Sequence, residues 1–234
     1  AGDHSAASPL QVDPVADGKG VFIRRSALGG GNIAATSITL KMTGLGAGPY
    51  NFKVFGIEMV NIPQGNFEIG DGVSVSSYNS ISITSTSQSS GLTSAVLGGG
   101  SAAVPATFPM GYNSFYSMKY EISQQQYVEF LNSLTYDQQK SRTFNDPISE
   151  AGTYAMFTGF NYRNGIRILT PGNNAAIPAV YACDATAGVE NNSDDGQAIA
   201  NSGMSYADLS AYLDWAALRP MTEMEFEKIC RGTQ

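Results

Sequence analysis

The chain is 234 residues long, enough for one large or two small domains with a buried core. Only 14% of residues are charged and the net charge is −7, with Arg24-Arg25 the one basic pair; that balance excludes a nucleic-acid or anionic-membrane surface. No apolar run reaches the roughly 18 residues of a membrane-spanning helix, and 26 glycines amid abundant Ser, Thr and Asn indicate a β-rich, loop-rich, exported chain.

No signal peptide opens the sequence, as expected of an exported protein after processing. Residues 1–16 alternate weakly at Leu10, Val12 and Val15 and are broken by Pro9 and Pro14. Two readings stay open: a loose N-terminal tail, or a strand that pairs with a sheet edge on a neighbouring subunit. Residues 17–57 predict a small antiparallel β-sandwich-like module, with strands at 20–24, 37–42 and 50–60. Gly29-Gly30-Gly31-Asn32 and Gly44-Leu45-Gly46-Ala47-Gly48 supply its turns. The boundary with the next unit, 58–234, falls within residues 55–61.

Glu58-Met59-Val60-Asn61-Ile62-Pro63-Gln64-Gly65-Asn66-Phe67-Glu68-Ile69-Gly70 reads as two strands around a Pro-Gln-Gly turn, hence a hairpin. Residues 73–107 form a Ser/Thr/Gly-rich insertion, whose alternation at Val73, Val75, Ile81 and Ile83 suits polar strands on the surface. A strand follows at Phe115-Tyr116-Ser117-Met118-Lys119-Tyr120-Glu121-Ile122-Ser123. Ser123 and Gln126 are then placed as a capping box. Tyr127, Phe130, Leu131 and Leu134 make a buried stripe at helical spacing. Residues 137–179 are irregular, apart from strand-like pieces near Tyr154 and Ile166.

The run from Cys183 to Gly196 gathers oxygen ligands: Asp184, Glu190, Asn192, Asp194 and Asp195 suit a calcium ion. Its spacing is not that of an EF-hand, since Val189 stands where the turn needs glycine, and a solvated acidic turn explains the same residues. Ser205 with Asp208 caps a helix whose buried face is Leu209, Tyr212, Leu213 and Ala216, flanked by Trp215. The last element is Arg219-Pro220-Met221-Thr222-Glu223-Met224-Glu225-Phe226-Glu227-Lys228-Ile229-Cys230-Arg231-Gly232. Thr222 and Glu225 form its capping box, Phe226, Ile229 and Cys230 its predicted buried face, and Gly232 its stop.

This closing run resembles the "R-L-P-T-E-x-E-W-E-x-A-x-R-G" signature of the formylglycine-generating enzyme (sulfatase-modifying factor) family. Pro220-Met221 stands for Leu-Pro and Phe226 for Trp. The run from Glu58 resembles that family's "M-V-x-I-P-G-G-x-F-x-M-G", the run from Phe115 its "F-x-I-x-K-Y-E-V-T-N", and the Ser205 helix its "V-S-W-x-D-A-x-A-Y-C-x-W". The resemblance implies a C-type-lectin-like variant fold. The overall expectation is α+β: a small β module, then a formylglycine-generating-type domain with short capped helices, incomplete toward its C-terminal half.

The resemblance also implies copper held by a cysteine pair, but Cys183 and Cys230 do not align with the family's pair. They lie far apart without a CxxC pattern, so they form either a disulfide or two buried free thiols. His4 is the one histidine, and no nucleophile elbow, phosphate loop or HExxH motif is present. Glu223, Glu225 and Glu227 suit the first helical turn without any catalytic role.

The leading expectation is therefore an exported, non-catalytic structural or binding module at the cell surface, self-associating or packed against neighbouring subunits. A fragment of a copper-dependent formylglycine-generating enzyme is the alternative. A lectin-like domain with a glycan partner and calcium in the 184–196 loop is the third.

Overall fold

Among the described residues of the computed structural model, the four α-helices begin with the same local device. In α1 (Gln124–Leu131), α2 (Tyr136–Lys140), α3 (Tyr206–Trp215) and α4 (Glu223–Arg231), a Ser or Thr hydroxyl accepts the backbone N–H three residues on. The Gln, Asp or Glu at that third position returns a bond to the cap's own N–H. Each reciprocal pair satisfies two of the donors that a helix start leaves without partners. Three of these boxes are expected from the sequence. The fourth, Thr135 with Gln138, corrects an expectation: it starts a short helix whose residues 137–140 lie within the stretch predicted irregular.

The structure describes residues 4–16, 18, 20–73, 79–86, 104–105, 107–174, 176–186 and 188–233. Among them the strands are β1 (Ser5–Ala6), β2 (Leu10–Pro14), β3 (Val21–Arg25), β4 (Ile38–Thr39), β5 (Met59–Ile62), β6 (Phe67–Ile69), β7 (Ile81–Ile83), β8 (Phe115–Met118), β9 (Ile166–Thr170) and β10 (Val180–Cys183). They pair antiparallel in five two-stranded sheets: β1 with β4, β2 with β3, β5 with β8, β6 with β7 and β9 with β10. The architecture is α+β, as expected.

The N-terminal expectations need correction. Among the described residues no sandwich forms: Leu10–Pro14, placed in the tail by the sequence, pairs within the chain against Val21–Arg25, with Val12 opposite Ile23. The predicted second strand shrinks to Ile38–Thr39, which meets Ser5–Ala6. The predicted third begins only at Met59, leaving residues 40–58 outside any strand or helix. The glycines at 44, 46 and 48 give this stretch conformational freedom and no side chain to pack.

The predicted hairpin at 58–70 is also replaced by something less local. β5 takes β8 as its partner (Ile62 opposite Phe115) and β6 takes β7 (Phe67 opposite Ile83). The insertion thus contributes to the interior, since Ile83 is fully buried. Val73 lies exposed on the surface, and Val75 falls outside the described residues.

Two apolar clusters result. The larger joins Tyr127, Phe130 and Leu131 of α1 to Ile166, Ile168, Tyr181 and Cys183 of the β9–β10 pair and Tyr212 and Leu213 of α3. The α1 and α3 stripes are those the spacing predicts, with Leu134, Leu209 and Ala216 at the margin. The smaller comprises Phe67, Ile69, Ile83, Met110 and Met224, so α4 closes over the β6–β7 pair.

Candidate functional site

Helix α4 presents a different face inward from the one its apolar residues suggest. Met224, Glu225 and Lys228 are buried, while Phe226 is half exposed and Cys230 is exposed. The buried polar pair explains the rotation: Lys228 finds partners more than a hundred residues upstream, and Glu225 finds them just before the helix, at Arg219 and Thr222.

Lys228 Nζ donates to the carbonyls of Gly111 at 2.6 Å, Tyr112 at 3.1 Å and Asn113 at 3.3 Å. It also lies over the Phe67 and Phe115 rings at 5.5 and 5.6 Å. An ammonium has three donors, and all three are used here. Burial lowers its pKa from the ordinary lysine value, against a smaller opposing pull from the Glu225 charge. Gly111 makes the close approach possible. Its φ is +80°, and a Cβ there would sit 3.3 Å from the Phe67 ring and 3.4 Å from Glu225.

The Glu225 carboxylate accepts the Thr222 N–H at 2.9 Å and a bidentate Arg219 guanidinium at 2.8 and 2.6 Å. Burial alone would raise its pKa. The Arg219 bond and the Thr222 N–H outweigh that and hold it below the usual glutamate value. Thr222 also donates from its hydroxyl to Pro109 O at 2.9 Å. Glu227 pairs with Arg231 one turn on, and Glu223 stays in the first turn at the solvent surface. This constellation is a clamp between the closing helix and residues 109–113.

The 183–196 loop is organised around Asp195, which is fully buried. Its carboxylate accepts backbone N–H groups from Thr186 at 3.0 Å and Asn192 at 2.6 Å. Asn192 turns its amide to Val189 O, Asn191 accepts from Cys183 N–H, and Thr186 donates to Asp194 O. Asp184 faces Arg167 at 3.4 Å, which in turn lies over the Tyr154 ring. The five residues expected to surround calcium therefore do not converge: Asp195 spends its oxygens on the loop's own backbone and Asp184 opposes a guanidinium. Among the described residues no three His, Cys, Asp or Glu side chains cluster to hold a metal ion. A recess of about 100 Å³ beside Arg167, Asp184 and Glu190 is the space this leaves.

A larger cleft of about 510 Å³ opens between α1, α2 and α3, lined by Phe130, Leu134, Gln138, Arg142, Ala211, Asp214 and Trp215. Arg142 is fixed by Asp208 at 3.0 Å. Phe55, which precedes β5, packs edge-on against Trp215 with ring centres 4.8 Å apart. Sequence reasoning missed this cleft, Arg219 and Lys228. Its one signal for the cleft was the apolar Leu134 and Trp215 at the ends of their stripes.

Neither cysteine is disulfide-bonded. Cys183 is buried in the main cluster, and burial, with the Asp195 charge adding, pushes its thiol up to about 12. Cys230, expected to fill a buried slot, is on the exposed side of α4 because Lys228 occupies the interior. His4 accepts the Lys41 N–H at 3.3 Å, and burial raises the Tyr212 hydroxyl to about 12.

The family model described as "Sulfatase-modifying factor enzyme 1-like domain" matches residues 52–234. No curated protein and no solved structure matches the chain. No helix among the described residues is long and apolar enough to cross a membrane.

Proposed function

Since the chain belongs to the family of the sulfatase-modifying factor enzyme 1-like domain, we propose that it supplies scaffold of a formylglycine-generating-type domain. In this reading the oxidising chemistry draws on thiols from outside these 234 residues. The observation that carries it is the match over residues 52–234, supported by the way the closing helix clamps onto the chain near Gly111.

The residues present do not fit a copper site of the family's two-cysteine type. Copper would be held as a thiolate complex by two converging sulfurs, and Cys183 is fully buried within the larger apolar cluster. Cys230 lies on a helix packed against the other apolar cluster, so the two sulfurs belong to different parts of the molecule. What these residues do is hold the framework: Glu225 and Arg219 fix the start of α4, and Lys228 ties it to three carbonyls. Within that framework we place a C-type-lectin-like arrangement whose short sheets gain further strands.

The test is copper binding and aldehyde formation on a cysteine-containing peptide. The 234-residue chain is expected to show neither, and the product of a longer reading frame carrying a further cysteine pair is expected to show both. A tightly held copper with turnover in the 234-residue chain would overturn the proposal. Thiol titration provides a check on the donor set: Cys230 should react with an aromatic disulfide at once, and Cys183 only on unfolding.

A second reading, an exported surface module that binds without reacting, is favoured by one observation. Between residues 40 and 55 the apolar side chains of Leu40, Met42, Tyr50, Phe52 and Val54 lie exposed.

A further inference from the structure

Residues 37–43 alternate Ile38, Leu40 and Met42 with Thr39, Lys41 and Thr43; residues 50–54 alternate Tyr50, Phe52 and Val54 with Asn51 and Lys53. Such alternation belongs to strands with one covered face. Yet between residues 40 and 58 no strand or helix forms, and Phe52 is 65% and Val54 91% exposed. Phe55 on Trp215 and the Lys53–Glu129 ion pair tether only the far end of this arm to α1 and α3.

The charge distribution says what covers it. The arm, residues 40–55, carries Lys41 and Lys53 and no Asp or Glu, whereas residues 58–234 carry eight Lys or Arg against seventeen Asp or Glu. A basic, apolar arm and an acidic body sit in one chain, so each copy holds a surface complementary to the other. The Lys53–Glu129 pair is an instance of that contact within one molecule. Leu40, Met42, Tyr50, Phe52, Val54 and Phe55 together expose on the order of 600 Å² of apolar surface, close to the ~800 Å² per partner of a standard interface. The sheets also leave edges to extend, since each described sheet has two strands, and an isolated two-stranded pair is marginal in water.

We propose that residues 40–55 of one molecule dock as an arm on the acidic surface presented by the described residues between 58 and 233 of a second copy. Reciprocal exchange of arms closes a two-fold dimer, and exchange in one direction only builds a chain of subunits. The contact is independent of copper or peptide oxidation, so its failure leaves the scaffold reading standing, and the reverse.

Sedimentation velocity on the full 234-residue chain tests it, with the paired substitution Phe52→Glu and Val54→Glu as the variant. Both side chains are exposed, so circular dichroism and the Tm should match the wild type at low concentration. The wild type is expected to associate with rising concentration, and the variant to need about tenfold more protein for the same degree of association. Raising NaCl to about 0.5 M, where screening acts within a few Å, should weaken association. A wild type still monomeric at ~100 μM, far above the micromolar range of weak interfaces, would overturn the proposal. So would a variant that associates like the wild type. Association that NaCl leaves unchanged would overturn the assignment to the acidic body.

Discussion

Phe130 and Phe52 are the same side chain in two unlike regions. Phe130 is buried among Tyr127, Tyr212 and Trp215, with ring centres 5.5–5.7 Å away. Phe52 has, among the described residues, only Tyr50 as an aromatic neighbour, at 6.2 Å, and is mostly in solvent. The helical stripe on α1 brings its own covering, because β9, β10 and α3 present apolar faces to it. The arm's alternation brings none. Periodicity says which side of an element is apolar, and only a second surface turns that side into core.

The comparison breaks first at the aromatic cluster. Phe130→Ala should cost about 3–5 kcal/mol in urea unfolding, the sum of lost transfer energy and the void left behind. A cost under about 1 kcal/mol would mean the cluster is looser than its ring distances indicate.

Lys228→Met keeps the aliphatic packing but strips three carbonyls of their donor. A loss of about 2–3 kcal/mol is expected from buried acceptors left without partners, while Lys53→Met in the arm should stay within ~0.5 kcal/mol, as exposed ion pairs do. Equal effects would erase the contrast between clamp and arm.

Glu225→Gln should cost about 1–2 kcal/mol at neutral pH, since the box survives but the paired charge does not. The sign with pH follows from the lowered folded pKa. The stabilisation is fully present above the ordinary glutamate value of 4.5 and is lost as pH falls through the folded value. Asp146 adds in the same direction. Its bonds from Lys140 and Tyr136 hold it at about 2 against 3.8, so its contribution fades between those values. The wild type should therefore lose stability in acid more steeply than Glu225→Gln.

The smallest effect belongs to Phe52→Ala, which should change monomer stability by no more than about 0.5 kcal/mol. A larger loss at low concentration would place Phe52 in a covered face after all.

What was legible in the sequence was local. A Ser or Thr with its acceptor three residues on announces three of the four helix starts, and the α1 stripe is visible at its spacing. Thr135–Gln138 obeys the same rule but introduces a helix too short to show a stripe. The face of α4 was misread because Phe226, Ile229 and Cys230 form the apolar choice, and nothing nearby reveals that Lys228 has three carbonyls waiting near residue 112. Strand partners were hidden for the same reason. Met59 meets Met118 and not the strand that follows its turn. In the acidic loop the sequence offers oxygen-bearing side chains, but Asp195 is occupied by its own loop's N–H groups, a choice that only folded geometry decides.

The clamp at Lys228 also bears on how the molecule is made. Its ammonium meets carbonyls as many as 117 residues upstream, and a ribosome adding ~5–20 residues per second delays their meeting by roughly ten seconds. Through that interval Phe67 and Ile83 emerge without the lid that later seals them, and they are the stretch a chaperone would be expected to hold.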